Sequence, residues 1–134
     1  MPFVLDASIA AAWLLPDEVS AVADALLHRT ASGGALAPDL LWHELRNILL
    51  VAARRSRLPA TEIAPAIARL RRLPIETADT ASGGDPRVVA LAQAHDLTAY
   101  DAAYLALAAD RALPLATADR ALRRAARAET IDLL

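Results

Sequence analysis

The sequence predicts an α/β fold with a mainly parallel central sheet, and two observations carry that expectation. Short apolar segments suited to strands alternate along the chain with longer segments whose apolar residues recur at helical spacing. The length of 134 residues and the 56% hydrophobic content match one domain, residues 1–134, around a single buried core.

Phe3-Val4-Leu5-Asp6 reads as a short buried strand. Ser8 then offers an N-cap for a helix running to about residue 15, where Pro16 stops it. Over residues 19–29, Val19, Val22, Ala23, Leu26 and Leu27 recur at helical spacing, and Ser32-Gly33-Gly34 ends the segment. Ala35-Leu36-Ala37 suits a second strand. Pro38-Asp39 opens a long helix over residues 41–55, with Leu41, Leu45, Ile48, Leu49 and Ala52 as its core stripe and arginines at its C-terminal end. A further helix over residues 60–72 follows Pro59, and Pro74-Ile75-Glu76 suits a third strand. Residues 80–85, containing Ser82-Gly83-Gly84, read as a loop. Helices over residues 86–95 and 99–110 follow, then a fourth strand at Leu115-Ala116-Thr117, a helix over residues 120–127 and a last strand within residues 130–134. The chain shows no internal repeat or coiled coil.

Composition removes several chemistries. Without cysteine there is no disulfide, thiolate metal site or cysteine nucleophile. All 14 basic residues are arginine, so a lysine nucleophile or lysine phosphate clamp is excluded. A formal net charge of −2 argues against nucleic-acid binding through bulk positive potential, so any such binding must be local. No apolar run approaches the roughly 20 residues that cross a bilayer. Met1-Pro2-Phe3 leads at once into the first strand without a basic region or cleavage site, and a cytoplasmic protein is expected. The alanine-rich apolar surplus points to a surface covered by a partner, with self-association as the default.

The informative residues are acids embedded in apolar runs, because a buried carboxylate must find a metal, a cation or a hydrogen-bond network. Asp6 closes the first strand. The carboxyl ends of strands in an α/β sheet face the ligand crevice, so Asp6 suits either a functional acid or a local turn. Glu44 shares a helix face with Ile48 and Val51, and a salt bridge to Arg46 or Arg54 is the plain alternative, although neither arginine sits at an ideal helical offset. Asp101 is the sole acid within residues 100–109. Thr98 three residues before it resembles a capping box, a role compatible with metal coordination. Asp119 follows the fourth strand and precedes an arginine-rich helix, where it suits a ligand or an N-cap equally. Ser8 and Thr117 each stand two residues from an acid, placed to orient a carboxylate or a bound water.

Several carboxylates brought close together repel one another unless a cation neutralises them. All-oxygen donors select hard ions, Mg²⁺ or Mn²⁺ rather than zinc, and such ions activate water for phosphodiester cleavage. Four stretches, in order along the chain, carry a family resemblance: Phe3-Val4-Leu5-Asp6-Ala7-Ser8, Pro38-Asp39-Leu40-Leu41-Trp42-His43-Glu44, Leu97-Thr98-Ala99-Tyr100-Asp101-Ala102-Ala103-Tyr104-Leu105-Ala106-Leu107-Ala108, and Leu115-Ala116-Thr117-Ala118-Asp119. Each is weak singly, but together they make the chain similar to PIN domains, and among these to the VapC-type toxin ribonucleases of bacterial toxin–antitoxin pairs. The resemblance implies a three-layer α/β/α sandwich that gathers Asp6, Glu44 and Asp101 at one end of the sheet, with Asp119 completing the site or holding a second ion. It also implies Mg²⁺-dependent endonucleolytic cleavage of RNA, inhibition by a small cognate antitoxin protein, and homodimers.

The remaining polar and aromatic residues are less specific. Arg54, Arg55 and Arg57, then Arg69, Arg71 and Arg72, then Arg120, Arg123, Arg124 and Arg127 suit phosphate contacts or, more simply, solvated faces and helix ends. His28, His43 and His95 lack metal-ligand spacing, and Trp13, Trp42 and Tyr104 suit the core. A receiver-like phosphoacceptor domain would need a lysine, and a haloacid-type phosphatase would need an Asp where Ser8 stands. The competing function from another class is a catalytically silent PIN module that binds protein or RNA, a reading weakened by the presence of all four acids.

Overall fold

A computed structural model describes residues 2–78 and 84–134, so most of the loop expected over residues 80–85 lies outside the described residues. Four parallel strands form the sheet: β1 (Val4–Leu5), β2 (Ala35–Pro38), β3 (Ile75–Ala78) and β4 (Leu115–Ala116), in the order β3-β2-β1-β4. Register pairs Val4 with both Leu36 and Leu115, and Ala35 with Ile75. Seven α-helices surround the strands among the described residues: α1 (Ala7–Leu14), α2 (Ala21–Gly33), α3 (Leu40–Arg54), α4 (Ile63–Leu70), α5 (Asp85–His95), α6 (Ala99–Arg111) and α7 (Arg120–Ala128). The molecule is the α/β architecture with a parallel sheet that the alternation of elements predicts.

Strands this short are stabilised by what packs on them. β1 is wholly buried, and α6 lies against β1, β2 and β4. Every residue from Ala102 to Ala108 is buried, as expected of a helix that is apolar all round, and its alanines let it approach the sheet closely. Part of the alanine surplus is thus spent on close packing inside the chain. Among the described residues, the large apolar side chains left outside are Val19, Val22, Leu50, Val89 and Tyr100. Gly34 links α2 to β2 with φ of +79°, and a Cβ there would stand 3.2 Å from the Pro74 carbonyl oxygen, so this position requires glycine.

Several expectations need correction. Asp6, not Ser8, takes the N-cap position of α1: its backbone is extended, and its carbonyl accepts from the N–H of Ile9 at 3.1 Å. The second helix begins at Ala21 with Ser20 as its cap, so Val19 lies before the helix and is 91% exposed. The segment after Pro59 opens with one 3₁₀ turn, Ala60–Glu62, before α4 begins. The last segment forms no strand, only a single parallel bridge from Leu133 to Leu115. The third strand extends beyond Glu76 to Ala78, two residues past the expected end.

Candidate functional site

The chain builds β1, β2 and β3 outward in one direction, then returns to lay β4 on the free side of β1. Such a reversal opens a crevice at the carboxyl ends of the strands on either side of it, here β1 and β4. Asp6 leaves β1 at that crevice, and Thr117 and Asp119 leave β4 there.

Asp6 is only 4% exposed. Its Oδ2 accepts from the Ser8 hydroxyl and from the Thr117 hydroxyl, each at 2.6 Å, and the two hydroxyls lie 3.4 Å apart. Ser8 Oγ in turn accepts from the Ala118 N–H at 2.9 Å, and Thr117 Oγ1 from the Asp119 N–H at 3.1 Å. The two strand ends are therefore stitched together through one carboxylate. Burial pushes the Asp6 pKa up, and these hydroxyls, with the N–H groups of Ser8 and Ala7, offset only part of that.

Glu44 stands in the second turn of α3, half-buried, and its partner is not an arginine. The Tyr104 hydroxyl donates to Glu44 Oε1 at 2.6 Å, while Arg46 bonds His43 instead. Burial raises the Glu44 pKa, the Tyr104 bond lowers it in part, and repulsion from Asp6 and Asp101 raises it further. Tyr104 is fully buried, and burial followed by its bond to Glu44 drives its pKa far upward, so the phenol keeps its proton and remains a donor.

Asp101 lies in the first turn of α6, where Thr98 Oγ1 accepts from its N–H at 3.1 Å, the capping contact the spacing suggested. Its carboxyl is also raised, by burial first and then by repulsion from Asp6 and Asp119, against a partial offset from Thr98. Asp119 is the N-cap of α7, its Oδ2 accepting from the Leu122 N–H at 2.8 Å. The cap role is thus real, and it does not remove Asp119 from the cluster, since its charge acts on Asp101.

Four acids from four separate parts of the chain therefore sense one another, and no cation figures among the groups that shift Asp6, Glu44 or Asp101. Among the described residues, no three His, Asp or Glu side chains stand close enough together to form a ready-made metal cage. Three of the carboxylates are tied to donors of their own: Ser8 and Thr117 for Asp6, Tyr104 for Glu44, and the Leu122 N–H for Asp119. Every buried side-chain polar atom among the described residues has a partner. The donor set suits a hard divalent ion that retains several waters and takes few direct protein ligands.

Two participants were not assigned to the site from sequence. Tyr104 was placed in the core, where it is, but its hydroxyl serves Glu44. The signal was a tyrosine rather than a phenylalanine in an otherwise aliphatic helix, since a buried phenol needs an acceptor. Arg123, half-buried, donates from Nη1 to the Thr117 carbonyl at 3.0 Å and so places a guanidinium at the end of β4, on the residue whose hydroxyl holds Asp6. The other arginines divide between pairings and exposed surface. Arg57 binds Asp17 at 2.8 Å, and Arg71 stacks 4.0 Å from the centre of the Trp42 ring. Among the histidines, His43 is exposed and His95 lies 3.6 Å from Glu129.

Among the described residues, no helix is long and apolar enough to cross a membrane. No curated protein matches the sequence. The fold is similar to the crystal structure of PAE2754 from Pyrobaculum aerophilum, with a TM-score of 0.70 and 21% identity over 93% of this chain and 84% of that one. PIN domains are generally nucleases that act on nucleic acids and usually bind divalent metals. The family model for the PIN domain matches residues 3–128, a span that contains all four acids, and the chain belongs to that family.

Proposed function

We propose that this protein is a Mg²⁺-dependent endoribonuclease, with Mn²⁺ as a working substitute, and the toxin of a VapC-type toxin–antitoxin pair. The observation that supports it most is the meeting at a sheet crevice of Asp6, Glu44 and Asp101, whose carboxyls burial holds above their usual range, with repulsion from neighbouring acids adding to the rise at Glu44 and Asp101. A folded chain that accepts this repulsion has a use for a divalent ion there.

Asp6, Glu44 and Asp101 would hold the ion, with Asp119 completing the set or serving a second one. When bound, the ion supplies charge neutralisation at the phosphodiester and an acidified water. The chain's own residues do the positioning. Ser8 and Thr117 fix the Asp6 carboxylate, Tyr104 fixes Glu44, and the α7 N-terminus fixes Asp119. With no lysine present, charge on the cleaved strand must be met by arginine or by the ion, and Arg123 is anchored to a member of the Asp6 network, the Thr117 carbonyl. One domain over residues 1–134, a cytoplasmic location, a small antitoxin that masks the site and a homodimer complete the proposal. Exposed Val19 and Val22 give such partners apolar surface to cover.

The separated placement of the acids, taken alone, favours a silent module that binds protein or RNA without cutting it. Against that, a silent module gains nothing from uncompensated repulsion. The purified protein, freed of antitoxin, is expected to cut RNA with Mg²⁺ or Mn²⁺, and EDTA or Asp101→Asn is expected to stop it. Unchanged cleavage by Asp101→Asn would overturn the mechanism, and an RNA-binding wild-type protein that never cuts would establish the silent module.

A further inference from the structure

The sequence contains five aromatic residues, and four of them serve the interior. Phe3 and Tyr104 are fully buried, and Trp13 and Trp42 pack partly against the core. Tyr100 differs, being 65% exposed. A single exposed ring is ordinary on a protein surface, so its placement must carry the case.

Tyr100 stands in the first turn of α6, immediately before Asp101. It also precedes Tyr104 by four residues, so the two rings share one face of the helix. That face brings the Tyr104 hydroxyl to Glu44 Oε1. Helical side chains lean toward the helix N-terminus, so Tyr100 sits one turn outward from Tyr104, at the rim of the acidic cluster.

RNA approaching this rim meets a chain of net charge −2 and four carboxylates, and Coulomb forces there oppose a phosphate backbone. Stacking of a base on an aromatic ring needs no positive charge, tolerates any sequence and requires a base that is not already paired. We propose that Tyr100 is a substrate-binding residue that stacks on an unpaired base beside the scissile phosphate. This deepens the nuclease function proposed above and rests on it.

The test uses the full chain and a random-sequence oligoribonucleotide of about a dozen nucleotides, long enough to fill an ordinary single-strand site. Cleavage kinetics with Mg²⁺ or Mn²⁺ are compared for wild type, Tyr100→Phe, Tyr100→Leu and Tyr100→Ala. Leu and Ala are expected to raise KM roughly 5- to 100-fold, the effect of losing one base–aromatic stack, with kcat changing much less. Phe is expected to restore KM, because the ring and not the hydroxyl makes the contact. A duplex of the same length should be cut more slowly by wild type, and Tyr100→Ala should narrow that preference. Because Tyr100 is exposed, melting temperatures should stay close to wild type in all variants.

Fluorescence polarisation with the same oligonucleotide in EDTA separates binding from cleavage. An unchanged affinity in Tyr100→Ala overturns the stacking role whatever the kinetics show, as does equal weakening by Phe and Ala. Wild-type protein that binds the oligonucleotide through Tyr100 but never cuts it overturns the nuclease function and leaves the stacking contact standing.

Discussion

Replacing Thr117 by Val removes one hydroxyl and keeps the β-branched shape, which makes it the cleanest probe of how Asp6 is held. Thr117 is 1% exposed, donates to Asp6 Oδ2 at 2.6 Å and accepts from the Asp119 N–H at 3.1 Å. A hydrogen bond to a charged group is worth about 1.5–3 kcal/mol. The orphaned Asp119 N–H adds less than a full desolvation penalty, because Asp119 is only partly buried and water can reach it. Ser8 remains as a second donor to Asp6. Together these give an expected loss of about 2–3 kcal/mol at neutral pH. In a domain of this size that lowers Tm by roughly 6–10 °C.

The assay is urea denaturation of the metal-free protein in EDTA, followed by tryptophan fluorescence at several pH values. The Thr117 hydroxyl favours the ionised form of Asp6, so its removal raises the Asp6 pKa further. The stability difference between wild type and Thr117→Val should therefore be largest above that pKa and shrink as pH falls through it. A loss below about 1 kcal/mol at neutral pH, the worth of an ordinary neutral bond, refutes the idea that this hydroxyl holds an ionised Asp6. So does a loss that does not change with pH.

Other perturbations follow the same physics. Asp6→Asn keeps an oxygen for both hydroxyls and removes a buried charge, so the metal-free variant should melt higher than wild type at neutral pH while cutting no RNA; a lower Tm would contradict the repulsion described here. The folded-state pKa values of Asp6, Glu44 and Asp101 all lie above their ordinary values, so the native state binds more protons than the unfolded chain once pH exceeds about 4. Their contribution to metal-free stability is accordingly present at low pH and lost as pH rises through the folded values. The wild-type deficit relative to Asp6→Asn should widen along the same course, and saturating Mg²⁺ should close it. Tyr104→Phe keeps the buried ring and removes the donor to Glu44, with an expected cost of about 1–2 kcal/mol by thermal melting together with reduced cleavage; unaltered stability would show that water replaces the phenol without penalty. Gly34→Ala forces a side chain into a left-handed backbone position against the Pro74 carbonyl and should cost more than about 1 kcal/mol, read as a lower urea midpoint.

The helices were legible in the sequence because apolar spacing, prolines and caps all act locally. The core stripe of α3 shows this: Leu41, Leu45, Leu49 and Ala52 are buried, and Ile48 is half-buried against them. All four strands were legible as well, although β1 and β4 span two residues each, but the same reading also expected a strand within residues 130–134, where only one bridge forms. The cap of α1 was misplaced since Ser8 looks like a local capping residue, whereas its hydroxyl is drawn to Asp6 and to the Ala118 N–H, 110 positions away. Val19 matched the helical period, but Ser20 starts the helix after it. The four acids were each ambiguous in isolation. Their mutual repulsion, the link from Tyr104 to Glu44 and the bond from Arg123 to Thr117 depend on chain topology, which no short window of sequence encodes.

The hydrogen bond between Thr117 and Asp6 spans 111 positions, and it joins the first strand to the last. Synthesis makes Asp6 111 positions before Thr117, so through that interval Asp6 has neither its β4 neighbour nor the acid that follows it. The growing chain sits against the very kind of polymer it is proposed to cut, and the pairing of β4 with β1 delays assembly of the acidic cluster until β4 has emerged. Chains stopped before residue 115 should leave RNA intact, and cutting by such a fragment would show that β4 is dispensable for the chemistry.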